Sequence, residues 1–71
     1  MKEIDVRDYP PCEPMEMALE AASALKSNDK VKIIHKQIPY PLFEVLKNRG
    51  FSYTLEELDT DLFHIIIKKG S

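Results

Sequence analysis

One cysteine, two histidines and an arginine are the residues of this chain best suited to chemistry. Cys12 sits inside Tyr9-Pro10-Pro11-Cys12-Glu13-Pro14, at the mouth of a helix. Helix N–H groups there favour a thiolate, while Glu13 and Glu16 act in the opposite direction. His35 ends the β-branched run VKIIH and precedes Ile38-Pro39-Tyr40-Pro41, so it can carry a proton, ligate a metal or bind an anion. Arg7 and Asp8 follow a short apolar alternation and suit an anion anchor, with Lys36 beside His35 as a second cation. His64 falls within LFHIIIK.

Each residue also has a structural role open to it. Cys12 can be a small residue in a proline loop. His35 can bond the neighbouring loop backbone and anchor the approach to a helix. Arg7 and Asp8 can form a salt bridge or capping contact, and His64 can stand on an open sheet face. Cys12, His35 and His64 suit zinc or iron by residue type. No close pair such as C-x-x-C or H-x-x-x-H joins them, so neither metal nor cofactor is assigned.

The elements that must position these residues follow from periodicity. Ile4 and Val6 alternate with Glu3 and Asp5, the pattern of a half-buried strand. Pro14 fits the first turn of a helix, where its missing N–H is harmless. Met15, Ala18, Leu19, Ala22 and Leu25 then form one apolar stripe opposed by Glu16 and Glu20, with Lys26 placed to close the helix. After Ser27-Asn28-Asp29, Val31 to His35 is a second strand. A second helix carries Leu42, Phe43, Val45 and Leu46 and stops at Gly50. Tyr9, Tyr40 and Phe43 are expected to staple the helix approaches. Phe51, Tyr53 and Leu55 alternate through a third strand. Asp59-Thr60-Asp61 turns into a fourth, Leu62 to Lys68, closing a hairpin.

Seventy-one residues allow a single domain, 1–71, whose stability should be marginal. The chain is 44% hydrophobic and 31% charged, which fits a packed core and a solvated surface. A net charge of −2 with interspersed signs argues against a dedicated nucleic-acid binder. A lone cysteine forms no internal disulfide, and MKEIDVRD lacks a signal-type apolar region. The expected setting is cytoplasmic, without a membrane segment.

The expected fold is α+β, a two-layer β-α-β-α-β-β sandwich with a mixed four-stranded sheet and two helices on one face. Two β-α-β units make the first three strands parallel. Both helix N-termini and the carboxyl ends of the first two strands then share an edge. Arg7, Asp8, Cys12, His35, Lys36 and Gln37 collect there, and the hairpin tip, near Asp61 to His64, points the same way if strand three runs parallel to strand two. Ligands of open α/β sheets favour such an edge.

The segment Asp5-Val6-Arg7-Asp8-Tyr9-Pro10-Pro11-Cys12-Glu13-Pro14 resembles the opening of the TusA/SirA-like sulfur carriers, D-x-R-G-L-x-C-P-x-P. It is most similar to an uncharacterised bacterial branch reading D-x-R-x-x-P-P-x-E-P-M and, later, H-x-x-x-P-x-P-L. Asp5, Arg7, Pro10, Pro11, Glu13, Pro14 and Met15 supply the first motif, and His35, Pro39, Pro41 and Leu42 the second. The resemblance implies the same two-layer sandwich across nearly the whole chain. Where the carriers read C-P-x-P this chain reads P-C-x-P, which sets Pro11 at the carrier cysteine and Cys12 one residue on. Fold therefore carries over more readily than sulfur chemistry.

The function expected from these features is a small non-catalytic binding or regulatory module, acting on another protein through that edge. A thiol-based sulfur relay or redox role for Cys12 is the alternative. A homodimer through the open sheet face is a further expectation, because strand four is isoleucine-rich.

Overall fold

The computed structural model describes residues 1–10 and 12–70, so Pro11 in the first proline run and the terminal Ser71 lie outside the described residues. Six elements follow in the expected order: β1 (Lys2–Asp5), α1 (Glu13–Ser23), β2 (Lys30–His35), α2 (Tyr40–Asn48), β3 (Phe51–Asp59) and β4 (Leu62–Lys69). The sheet order is β1-β2-β4-β3. β1 pairs parallel with β2, while β4 is antiparallel to both β2 and β3. β1, β2 and β3 therefore run the same way, and β4 fills the gap between β2 and β3.

The alternation in β4 sorts its two faces. Phe63, Ile65 and Ile67 are buried, whereas His64 and Ile66 are only half-buried on the face away from the helices. Val31 and Ile33 of β2 join the buried side opposite Ile67 and Ile65. Ala18 and Ala22 of α1 and Leu42 and Leu46 of α2 close the core from above. Small alanines let α1 lie close to the sheet, and Leu42 and Leu46 recur one turn apart on the inward stripe of α2. Gly50 has φ +84°, the left-handed geometry expected of the residue that ends a helix.

Three local expectations are corrected. α1 stops at Ser23, three residues short of Lys26, so no base stands in its last turn. Leu25 is still buried because the chain turns inward after Ala24, whose N–H bonds the carbonyls of Glu20 and Ala21. Tyr9 and Tyr40 are 45% and 67% exposed, so neither is a buried staple; Tyr40 meets Phe43 edge-on with ring centroids 6.2 Å apart, and Phe43 stacks on Tyr53 at 4.2 Å. The open face is not a continuous apolar patch either. Ile34 and Ile66 are half-buried there, among Lys32, His64, Glu56 and Thr54. Among the described residues, no helix is long and apolar enough to cross a membrane.

Candidate ligand edge

The carboxyl ends of β1 and β2 lie side by side, since the Val6 N–H bonds the Ile34 carbonyl at 3.0 Å and carries the pairing past Asp5. Immediately after it the chain turns back on itself. The Arg7 amide and Nε reach Asp5 Oδ1 at 3.0 and 2.9 Å, and Nη2 reaches Oδ2 at 2.7 Å. This forked contact is charge-assisted and geometrically demanding. Bonding from the Arg7 guanidinium, then from its amide, holds the Asp5 carboxyl at about 2. Arg7 is pushed up in turn by Asp5, with Asp8 and Asp61 adding to the field. Arg7→Gln should lift the Asp5 pKa part of the way back toward its ordinary 3.8, because the backbone bond survives. Carboxyl carbon shifts followed across pH would show it, and an unmoved titration would mean the fork does not form in solution.

His35 points inward and is 6% exposed. Its Nδ1 accepts N–H bonds from Lys36 at 3.0 Å and from Gln37 at 3.2 Å, pinning the start of the loop that leads to α2. An Nδ1 that accepts two amides is unprotonated, so the neutral ring carries its hydrogen on Nε2. Burial, and then the adjacent Lys36 charge, push its pKa below the ordinary value. Cys12 is exposed at the N-terminal boundary of α1, with no side-chain bond capping the helix. The Glu13 amide at this helix mouth is taken by the Pro10 carbonyl at 3.1 Å.

Because β3 runs parallel to β2, the hairpin tip reaches the same edge. A shallow depression of about 510 Å³ is lined by Arg7, Asp8, Lys36, Asp59, Asp61 and Leu62. The edge thus brings together Arg7, Asp8 and Lys36, with His35 buried behind Lys36. Cys12 is not part of this lining, and His64 lies along β4 between Ile34 and Glu56. The hairpin tip expected at this edge, near Asp61, supplies both Asp61 and the preceding Asp59 as lining residues. Their signal was the direction of β3, which fixes where its turn must lie. Asp59 Oδ1 also accepts the Thr60 amide at 2.7 Å, which stiffens the tip. Among the described residues no group of three or more His, Cys, Asp or Glu is placed to hold a metal ion.

A family model for uncharacterised conserved proteins, DUF2249, matches residues 3–69. The chain belongs to that family. No curated protein and no solved structure matches it. The DUF2249 match takes in both helices and all four strands except Lys2, and it includes every residue of the edge described above. The edge therefore belongs to the DUF2249 domain itself and not to an appended segment.

Proposed function

We propose that this DUF2249 domain is a small non-catalytic binding module that docks a partner protein on the edge formed by Arg7, Asp8, Lys36, Asp59 and Asp61. The observation that carries this reading is how Arg7 and His35 are engaged. The Arg7 guanidinium is held by Asp5, and His35 Nδ1 is occupied by two backbone amides. Both are positioned to shape the edge. What faces solvent is an array of both signs, with three carboxylates beside two cations. A lone anion would meet Asp8, Asp59 and Asp61, whereas a protein surface bearing lysine or arginine next to a carboxylate can match the whole array.

Photo-crosslinking amino acids at Asp8 and at Asp61, with Glu20 on α1 as the control position, test this in cells. One discrete protein adduct formed from both edge positions and not from Glu20 is expected. Identical adducts from all three positions, or none from the edge, would remove the reading.

A sulfur relay is the second reading, favoured by the exposure of Cys12 at the mouth of α1 and by the TusA/SirA-like resemblance of residues 5–14. Incubation with a persulfide donor, followed by intact mass, should then show one added sulfur that is lost in Cys12→Ser. An unchanged mass excludes the relay and leaves the docking edge untouched.

A further inference from the structure

The net charge of −2 conceals a strong polarisation along the strands. Of the ten Lys and Arg residues, seven lie at the end away from the docking edge: Lys2, Lys26, Lys30, Lys47, Arg49, Lys68 and Lys69. Asp29 lines a depression with Lys30, Lys68 and Lys69, and Glu20 shares another with Lys2. The strand register brings the lysines together. Lys30 stands directly opposite Lys68 in the antiparallel β2–β4 pair, and both share the helix-free face with Lys32. Like charges placed directly across a ladder repel. Glu3 lies opposite Lys32, but among the described residues the one ion pair formed is Arg7–Asp5, at the far end.

On its other side, Lys68 faces Ser52 of β3, and Ile66 faces Thr54. Lys30, Ser52, Tyr53, Thr54, Ile66 and Lys68 line a depression of about 150 Å³. Beside it, a second depression lined by Ser27, Asn28, Asp29 and Lys69 shares the same Lys30 and Lys68. The Ser52 Oγ is buried and has no hydrogen-bond partner among the described residues. A buried hydroxyl left unbonded is rare in folded proteins and points to a missing polar neighbour.

We propose that Lys30, Lys68, Ser52 and Thr54 form a binding site for a phosphate group. Two ammonium groups that form no ion pair among the described residues, with two hydroxyl donors on a firm β-ladder, match a tetrahedral phosphate anion, which accepts several charge-assisted bonds at once. Bound phosphate relieves the Lys30–Lys68 repulsion and gives the Ser52 hydroxyl an acceptor. The second depression offers Lys69 to a neighbouring phosphate, so the group can belong to a small phosphate ester or to a nucleic-acid backbone. This site lies at the opposite end from the docking edge and does not depend on it.

Amide NMR during titration with inorganic phosphate and pyrophosphate at low ionic strength tests the proposal. Saturable shifts centred on Lys30, Ser52, Thr54 and Lys68 are expected. The pair K30Q/K68Q should weaken binding by about tenfold or more, since both charge-assisted contacts are lost. S52A, which stays folded without a buried unbonded hydroxyl, should weaken it several-fold. Matched sodium chloride producing the same shifts, or K30Q/K68Q titrating like the parent, would overturn the site. A single-stranded RNA oligonucleotide distinguishes the sources. Tighter binding than pyrophosphate with a steep fall in added salt assigns the phosphate to a nucleic-acid backbone. Binding no tighter than pyrophosphate assigns it to a small ester. Loss of the phosphate shifts would not affect the crosslinking outcome at Asp8 and Asp61.

Discussion

Ile65→Ala is expected to leave the domain mostly unfolded at 25 °C. Ile65 has no exposed surface and sits on β4 between Ile33 of β2 and Leu55 of β3, on the face that both helices cover. Truncating a buried isoleucine to alanine costs ~2–5 kcal/mol, from lost transfer energy together with the cavity left behind. A single core in a chain of this size supplies roughly 3–5 kcal/mol in all, so one such cavity consumes most of it. Urea denaturation followed by circular dichroism reads the loss as a midpoint shifted to, or below, zero denaturant. Ile66→Ala one residue along is the decisive control. Ile66 is half-buried on the helix-free face, where its loss leaves no enclosed cavity, and it should cost only about 1 kcal/mol. Equal losses from the two variants would mean that β4 does not have one inner and one outer face.

That sidedness was legible in LFHIIIK, although the segment is apolar at nearly every position. The expected place of His64 on the open face carries the phase, since alternation from it puts Phe63, Ile65 and Ile67 in the core. Both helices were equally legible, because their apolar stripes and flanking prolines agree. Where each element ends was less so. Leu25 extends the α1 stripe in phase, so periodicity runs on past Ser23, although the chain has already left the helix. β3 runs on to Asp59, but Glu56, Glu57 and Leu58 break the alternation, and only ladder bonds to β4 and an irregularity between Glu57 and Asp59 hold that stretch.

The candidate site divides in the same way. Topology alone places Arg7, Lys36 and the hairpin tip on one edge. The partner of Arg7 was not legible, because Asp5 lies two residues back and is reached only when the chain turns at the strand end. The basic end was hidden more deeply. Its lysines are spread from Lys2 to Lys69, and a near-neutral composition reads as interspersed charge until strand register sets Lys30 against Lys68. Net charge constrains nucleic-acid binding only when the charges are evenly spread, and here they are not.

His35 makes the stability of the domain pH-dependent. Its ring is buried and neutral, with Nδ1 committed to the Lys36 and Gln37 amides. A proton on Nδ1 would remove both acceptor contacts and bury a charge beside the Lys36 ammonium. The folded pKa therefore lies below the 6.5 of an exposed histidine. Below pH 6.5 the unfolded chain binds a proton that the folded chain resists, so unfolding takes up protons and stability falls as pH falls. Above 6.5 the contribution is complete. It declines as pH drops from 6.5 through the lower folded value, and past that value no further loss arises from this ring. His35→Leu should cost about 1–2 kcal/mol at pH 7, because two part-buried amides lose their acceptor. The same variant should flatten the slope of stability between pH 7 and 5. A merely space-filling role predicts neither effect, because leucine has nearly the same volume. The His35 ring-proton titration decides the point independently: a midpoint at or above 6.5 in the folded protein would show that Nδ1 is not held by the two amides.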